Sequence, residues 1–468
     1  MLKLFNTLTR EKDPLAPAES KTFNIYTCGP TVYDYAHIGN FRTYVFEDLL
    51  RRTLKYFGYT INQVMNITDV DDKTIKGALE KNQTLGDYTK VYKDAFLDDC
   101  KMLNIEPAEQ YTAATDHIPQ MIHMIETLLE RGVAYKGADN SIFFSIQKFP
   151  NYGRLSRLKL SELKTGASER TTGDEYDKDN ASDFVLWKAY DETRDGPIFW
   201  DSPFGKGRPG WHIECSAMAI DALGPTIDLH CGGVDNIFPH HENEIAQSEC
   251  CTGQPFARHW AHAEHLIVDG KKMSKSLGNF YTLRTLIEKG YTGPEVRYLL
   301  LSTHYRTQLN FTLQGLDAAR QSLHRLSALI DRLRTIDGKD SGKVQPFLDH
   351  TTLQFKKSLA DDLNISVAFA ALFDAVRQLN AWIDSNEIGA FEAQLILDTF
   401  SSYDSVLGVL PLTPTEASIP PELNEALDKR NAARAAKDWA TADAMRDLIH
   451  NAGYVIEDSP TGSRIKKK

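Results

Sequence analysis

Residues 23–67 constrain the fold more than any other stretch of the chain. Phe23 to Cys28 reads as a short strand that ends on the turn pair Gly29-Pro30. From Phe41 to Phe57, the residues Val45, Leu49, Leu50, Leu54 and Phe57 recur on one helical face, and Gly58 fits the position just past a helix end. Thr60 to Ile67 then reads as a second strand. Two strands joined through a helix pair in parallel, because the crossover returns the chain to the end where it started. The expected class is therefore α/β, with a Rossmann-like parallel sheet. Ligands of such a sheet bind beyond the carboxyl ends of its strands. Ile227 to Leu229, followed by a helical pattern near Glu242 to Cys250, supplies a later piece of that sheet.

Between these pieces, residues 118–208 differ in character and include a polar, acidic, loop-like stretch, Thr165 to Ser182. They read as a connective insertion, which divides the sheet domain into residues 1–117 and 209–255. Residues 256–310 carry a lysine-rich loop. Residues 311–412 read as a helical bundle: Leu316, Ala319, Leu323, Leu326, Ile330 and Leu333 form one apolar face. Asp337 to Gly342 breaks that helix, and further helical patterns cover Leu353 to Leu359, Val367 to Ser385 and Ile388 to Tyr403. Pro411, Pro414, Pro420 and Pro421 mark a linker. Residues 420–468 form a small α/β piece, with helices near Glu422 to Lys437 and Trp439 to Asn451, then Gly453 and a hairpin.

Composition narrows the class. Hydrophobic residues make up 42% of the 468 and charged residues 25%, as in a soluble globular protein with a real core. No apolar run approaches the roughly 18 residues of a membrane span, and Met1 to Asp13 lacks the apolar core of a secretory signal. A cytoplasmic protein without membrane attachment is expected. The net charge of −11 argues against a generic nucleic-acid binder, yet Lys271, Lys272 and Lys275, and the tail from Arg464 to Lys468, leave room for local basic contacts. Six cysteines are too few for a disulfide framework in a chain of this length, and none forms a Cys-x-x-Cys pair.

Two short motifs carry chemistry. His37-Ile38-Gly39-Asn40 opens the first sheet helix, where free N–H groups and the helix dipole attract anions. Gly39 lets a base or phosphate approach the backbone, and His37 can donate to a phosphate oxygen. The second motif, Lys272-Met273-Ser274-Lys275-Ser276 between Gly270 and Gly278, puts two lysines on a glycine-bounded loop able to close over a triphosphate. Taken singly, each has an ordinary reading: a satisfied histidine at a helix start, and a solvated lysine turn.

Together, in this order and after a βαβ start, they resemble the signature pair of the class I aminoacyl-tRNA synthetases. Position 40 departs from that pattern, since Asn stands where the family usually has a second histidine. The runs Thr27-Cys28-Gly29-Pro30-Thr31-Val32-Tyr33, Asn66-Ile67-Thr68-Asp69-Val70-Asp71-Asp72-Lys73, Gly207 to Met218 and Phe238-Pro239-His240-His241-Glu242-Asn243-Glu244 resemble the cysteinyl branch. So do Asp361-Asp362-Leu363-Asn364 and Arg434 to Asp458.

The resemblance implies a ligase that activates cysteine with Mg-ATP and transfers it to tRNA(Cys), acting as a monomer. It implies His37, Asn40, Lys272 and Lys275 as catalytic residues, with His37, Gly39 and Lys275 on ATP. One zinc per chain would sit on Cys28, Cys215, His240 and Glu244. Thr68, Trp211, His230 and Asp235 would form the cysteine pocket, with Asp235 on the ammonium. Arg434, Asp443 and Asp458 would read the anticodon, and residues 256–310 would meet the tRNA stem.

The residues fit that implication chemically. His240 and Glu244 share a helix face at i and i+4, and thiolate, imidazole and carboxylate all suit zinc. Soft sulfur binds zinc in preference to an alcohol, which would separate cysteine from serine without an editing site. Each ligand alone has an ordinary alternative, a buried thiol or a solvated polar run. Ile465 departs from the family, which often has tryptophan there. Two rivals remain: a cysteine:amino-sugar ligase, which would lack a tRNA-reading tail, and a non-catalytic tRNA-binding relative.

Overall fold

The computed structural model describes residues 2–18, 21–158, 182–412, 421–459 and 462–467. Residues 165–181 of the acidic stretch, and Pro414 and Pro420 of the expected linker, lie outside the described residues. Two units are compact, Met1–Leu410 and Pro411–Lys468.

The first unit begins with a hairpin of β1 (Lys3–Asn6) and β2 (Glu11–Pro14). β3 (Thr22–Thr27), α1 (Ile38–Tyr56) and β4 (Thr60–Ile67) follow, which is the expected βαβ unit. Gly58 closes α1 with φ +87°, a conformation that glycine adopts without strain. α2 (Asp72–Glu80) and α3 (Leu85–Met102) lead into β5 (Gln110–Ala113). α4 (Ile118–Glu130) precedes β6 (Ala134–Lys136), β7 (Ile142–Phe144) and β8 (Phe184–Ala189), then the short α5 (Glu192–Asp195) and β9 (Gly207–Pro209). These four strands form their own antiparallel sheet in the order β6-β7-β8-β9.

The chain returns through α6 (Trp211–Leu223), β10 (Ile227–Gly233), α7 (His240–Thr252) and β11 (Ala257–Ala263). The main sheet is parallel throughout, ordered β11-β10-β3-β4-β5. From β3 the chain crosses to β4 on one side, while β10 pairs on the other, with Cys231 opposite Thr27. The crevice beyond the carboxyl ends of β3 and β10 is thus the topological switch point where ligands of such sheets sit. α4 buries Met121, Ile125 and Leu128 in one core with Ile213 and Met218 of α6, Ile245 of α7 and Trp260 of β11. The start of the inserted region therefore packs as part of the sheet domain's core.

β12 (Leu266–Val268) pairs parallel with β13 (Leu309–Phe311), enclosing the lysine-rich loop, α8 (Leu283–Glu288) and α9 (Gly293–Leu301). Four long helices follow: α10 (Leu313–Leu333), α11 (Val344–Ala360), α12 (Ile365–Asp384) and α13 (Ala390–Leu407). All six apolar residues named on α10 are buried. Arg297 of α9 ties them to the sheet domain; it is buried, donates to the carbonyls of Leu407 and Leu103, and pairs with Asp48 of α1. Among the described residues, no helix is long and apolar enough to cross a membrane.

The second unit contains α14 (Pro421–Ala435), α15 (Trp439–Asn451) and the antiparallel pair β14 (Tyr454–Ser459) and β15 (Gly462–Lys467). Its small core holds Leu423, Ala426, Leu427, Ile449 and Ile465.

Candidate functional site

The site grows from the ends of β3 and β10 and the starts of α1, α6 and α7. Cys28 directly follows β3, Cys215 lies in the second turn of α6, and His240 and Glu244 lie one turn apart on α7. All four side chains are buried, and their donor atoms lie within 4.8 Å of one another. A tetrahedral ion bonded at about 2.0–2.3 Å would hold its ligands roughly 3.3–3.8 Å apart, so small adjustments seat one here. The donor set of two sulfurs, one imidazole and one carboxylate suits such an ion.

The electrostatics agree. Burial alone would push the Glu244 carboxyl up, but His230 and His240 pull it down to about 2. Burial alone would push His240 down, but Glu244 and Cys215 lift it to about 10. Burial would raise the Cys215 thiol, yet its hydrogen bond with Cys28 and the charge of His240 bring it to about 6. Anionic donors are thus balanced here by an imidazolium, the balance a bound cation would take over.

Four further histidines surround this cluster, of which the family resemblance implies only His230. His230 Nε2 bonds Glu244 Oε2 at 2.8 Å, while His240 Nε2 faces Oε1 at 3.0 Å. His212 Nδ1 lies 3.0 Å from His240 Nδ1. His241 Nε2 lies 3.2 Å from Cys28 Sγ, and its Nδ1 meets His262 Nε2 at 2.8 Å. His262 Nδ1 in turn meets Thr7 Oγ1 at 2.7 Å. A second set of four donors, Cys28, His230, His241 and Glu244, also lies within 4.8 Å. Such partners fix ring orientation around a metal site. In the sequence, only the doublet His240-His241 hinted at this cage.

Beside the cluster opens a cleft of about 780 Å³, whose lining includes Cys28, Trp211 and Asp235 together with His37, Gly39, Asn40, Lys272 and Lys275. Trp211 stacks on His240, with ring centroids 4.2 Å apart. Thr68 and His230 do not line it. Thr68 is buried, with its hydroxyl accepting from Asn66 Nδ2 at 3.1 Å. His230 lies behind Glu244, fully buried.

At the start of α1, His37 and Asn40 cap the helix reciprocally. His37 Nδ1 accepts from the Asn40 N–H at 3.1 Å, and Asn40 Oδ1 accepts from the His37 N–H at 3.0 Å. A neutral imidazole that accepts at Nδ1 carries its proton on Nε2, so His37 keeps a donor for the cleft. Burial holds its pKa down, which keeps it neutral. A Cβ at Gly39 would come within 3.0 Å of the His37 ring. Asn at position 40 is thus explained as a cap, with its amide donors left over.

The lysine loop borders the same cleft. Asn279 braces it, accepting from the Ser274 N–H at 2.9 Å and donating to the Lys272 carbonyl at 3.2 Å. Of the expected anticodon residues, Arg434 lies on α14 and Asp443 on α15, both exposed. Asp443 pairs with Arg446 at 3.1 Å. Asp458 lies on β14 opposite Ser463; its side chain lies outside the described residues.

Residues 14–321 match the class I (C) tRNA synthetase catalytic domain, 354–411 the DALR domain, and 416–465 the cysteinyl-tRNA ligase anticodon-binding domain. The chain is 58% identical over 468 residues to the cysteine–tRNA ligase of Protochlamydia amoebophila (strain UWE25), covering 100% of this chain and 98% of that one. It is 56% identical to that of Chlamydia felis (strain Fe/C-56), again covering 100% and 98%. The fold is shared with Mycobacterium tuberculosis methionyl-tRNA synthetase in complex with methionyl-adenylate, at TM-score 0.58 and 13% identity over 84% of this chain and 89% of that one. It is shared too with the ternary complex of Agrobacterium radiobacter K84 agnB2 LeuRS-tRNA-LeuAMS, at TM-score 0.59 and 13% identity over 84% and 85%.

Proposed function

The chain belongs to the cysteine–tRNA ligase family of class I aminoacyl-tRNA synthetases, and we propose how its cleft performs that reaction. The enzyme joins cysteine to tRNA at the expense of ATP. The cysteine carboxylate attacks the α-phosphate of Mg-ATP, giving cysteinyl-adenylate and pyrophosphate. The terminal ribose hydroxyl of tRNA(Cys) then attacks the acyl carbon. Neither step needs a protein nucleophile; positioning and charge stabilisation carry both.

The observation that carries the reading is the convergence of Cys28, Cys215, His240 and Glu244 in one buried cluster, of which Cys28 reaches a cleft that is also lined by His37 and two loop lysines. These four residues would hold one zinc; the set with two sulfurs suits zinc better than the set with one. Zinc, when bound, supplies a soft Lewis acid that favours a thiolate over an alcohol, and so cysteine over serine. Asp235 receives the substrate ammonium and Trp211 packs beside it. His37 Nε2–H, the open backbone at Gly39 and the α1 N-terminus hold the triphosphate, with the Asn40 amide as a further donor. Lys272 and Lys275 neutralise charge on the departing pyrophosphate. Thr68 and His230 act from behind the pocket wall, by fixing its shape.

Residues 118–208 act as the connective insertion between the sheet pieces that begin at 1 and 209, with α4 packed into the sheet core and β11 extending the second piece past 255; the rest of 256–310 meets the tRNA stem, and 311–412 form the helical bundle. Residues 420–468 read the anticodon through Arg434, Asp443 and Asp458, by hydrogen bonds to unpaired base edges. The enzyme works as a monomer in the cytoplasm. The match to an anticodon-binding domain over 416–465 favours this reading over an amino-sugar ligase. Cysteine-dependent ATP–pyrophosphate exchange followed by charging of total tRNA tests it. Exchange without charging points to the amino-sugar ligase, and absence of both to a non-catalytic relative.

A further inference from the structure

One carboxylate in the cleft has no place in the scheme above. Asp34 lies between β3 and α1, and its Oδ2 forms an ion pair with Lys275 Nζ at 2.7 Å. The Lys272 ammonium, on the same loop, has no ion pair among the described residues. The acid is presented from a braced segment. Asp34 Oδ1 accepts from the Tyr35 N–H at 2.8 Å, which aims Oδ2 across the cleft. The Tyr33 carbonyl accepts from the Tyr88 hydroxyl at 2.6 Å, and the Tyr35 ring packs edge-on against Tyr92.

The lysine, by contrast, rides on a surface loop and its side chain is 68% exposed. Asp269, Gly270 and Gly278 at the loop's ends all have positive φ, at 51°, 73° and 66°. The Lys275 ammonium also lies 5.2 Å from the centre of the Phe280 ring, which is edge-on to His37. The ion pair therefore ties the exposed lysine to the segment between β3 and α1, beside the helix start that faces the same cleft.

We propose that Asp34 is a positioning residue that holds Lys275 over the cleft until the triphosphate of ATP takes the lysine from it. The proposal rests on the role given above to Lys275. Asp34 and the triphosphate are both anions and compete for one ammonium, and their charges repel across the same cleft. Removing the carboxylate removes the competitor and the repulsion together. The loop's other supports, at Phe280 and Asn279, remain in place, so the lysine stays near. An exposed pair of this kind is weak, which lets ATP displace it readily.

The test is Asp34→Asn and Asp34→Glu, each made in the wild-type and the Lys275→Ala enzyme. ATP binding and ATP–pyrophosphate exchange are measured on the zinc-loaded full chain. Asp34→Asn should lower the KM and Kd for ATP by about 2–5-fold, the range expected from losing one exposed pair, while the KM for cysteine stays put. Asp34→Glu, which keeps the charge, should resemble wild type. In the Lys275→Ala background only the direct repulsion is left to relieve, so Asp34→Asn should lower the ATP KM and Kd by clearly less than in the wild-type enzyme. An ATP KM that rises or stays the same in Asp34→Asn overturns the assignment, as does an equal shift in both backgrounds. A Lys275→Ala enzyme with unimpaired exchange overturns instead the role of the lysine itself.

Discussion

Asp72 supplies a prediction whose size can be worked from the structure. Its carboxylate meets Lys188 Nζ at 2.9 Å and also pairs with Arg208. Both cations are almost wholly buried, at 2% and 1% exposure, whereas Asp72 is 45% exposed. Arg208 also reaches Asp195 at 3.2 Å, and lies three residues before the helix that carries Cys215. Burial would raise the Asp72 carboxyl, but Arg208 and Lys188 hold it at about 2, against an ordinary value of 3.8. At about 1.4 kcal/mol per pH unit this corresponds to roughly 2.5 kcal/mol before solvent screening, and about 1–2 after it. Leaving two buried cations without this partner adds to the loss, so Asp72→Asn should cost about 2 kcal/mol. At roughly 2.1 cal/mol/K per residue the unit Met1–Leu410 has an unfolding entropy of about 0.9 kcal/mol/K, so the thermal midpoint should fall by about 2–3 °C.

The sign with pH follows from a carboxyl depressed in the folded state. Its contribution is complete above the ordinary carboxyl value and is lost as pH falls through the folded one. The gap between wild type and Asp72→Asn should therefore be constant from about pH 5 to 7 and close from about pH 4 towards 2. Melting followed by tryptophan fluorescence measures it, with Asp72→Asn/Lys188→Met as the companion that should recover part of the loss. Midpoints within about 0.5 °C of each other at neutral pH, where 1 kcal/mol moves a unit of this size by about 1 °C, refute the reasoning.

Glu47 of α1 is buried, with neither carboxylate oxygen partnered among the described residues, and burial raises its pKa well above the ordinary value. Because the folded form holds that proton more tightly, stability is lost as pH rises; Glu47→Gln should gain about 1–3 kcal/mol near pH 8 and less near pH 5, and a variant that melts lower at pH 8 contradicts this. At the α1 start, His37→Ala should slow pyrophosphate exchange by about 10²-fold or more, whereas Asn40→His should be tolerated, since only a donor and a cap are needed there; equal rates in the two variants would remove this helix start from the mechanism. Arg434→Ala and Asp443→Ala should leave exchange near normal but weaken charging, by about 1–3 kcal/mol per lost base contact; unchanged steady-state charging would mean that both are ordinary helix-surface charges.

The βαβ unit was readable because its two periodicities, two residues for strands and 3.6 for the helix, change sharply at Gly29-Pro30 and Gly58. The antiparallel sheet of the insertion was not. Its strands β6, β7 and β9 have three residues each, too short to show alternation. α4 lies in residues 118–208, which read from sequence as insertion and not as a helix, and nothing in its sequence says that it packs with Trp260 and α6. His240 and Glu244 were legible as a pair because one helical turn separates them. Cys28 and Cys215 join them only through the tertiary fold, so spacing could not group them, and the family resemblance was needed. His212, His241 and His262 carry no periodic signal, since their partnership depends on β10, β11, α6 and α7 meeting at one point. Ile465, where the family often has tryptophan, packs in the small core of the second unit, which is how an aliphatic residue is accommodated there.

The central claim is that one zinc on Cys28, Cys215, His240 and Glu244 reads the sulfur of the substrate. X-ray absorption at the zinc edge, on enzyme purified without added metal, tests it most directly. The account predicts one zinc per chain with two sulfur neighbours at about 2.3 Å and two nitrogen or oxygen neighbours at about 2.0–2.2 Å. Adding cysteine should bring a third sulfur, and adding serine should leave the spectrum unchanged. A single protein sulfur would place the metal on Cys28, His230, His241 and Glu244 instead, and a spectrum indifferent to cysteine would contradict selection through the metal.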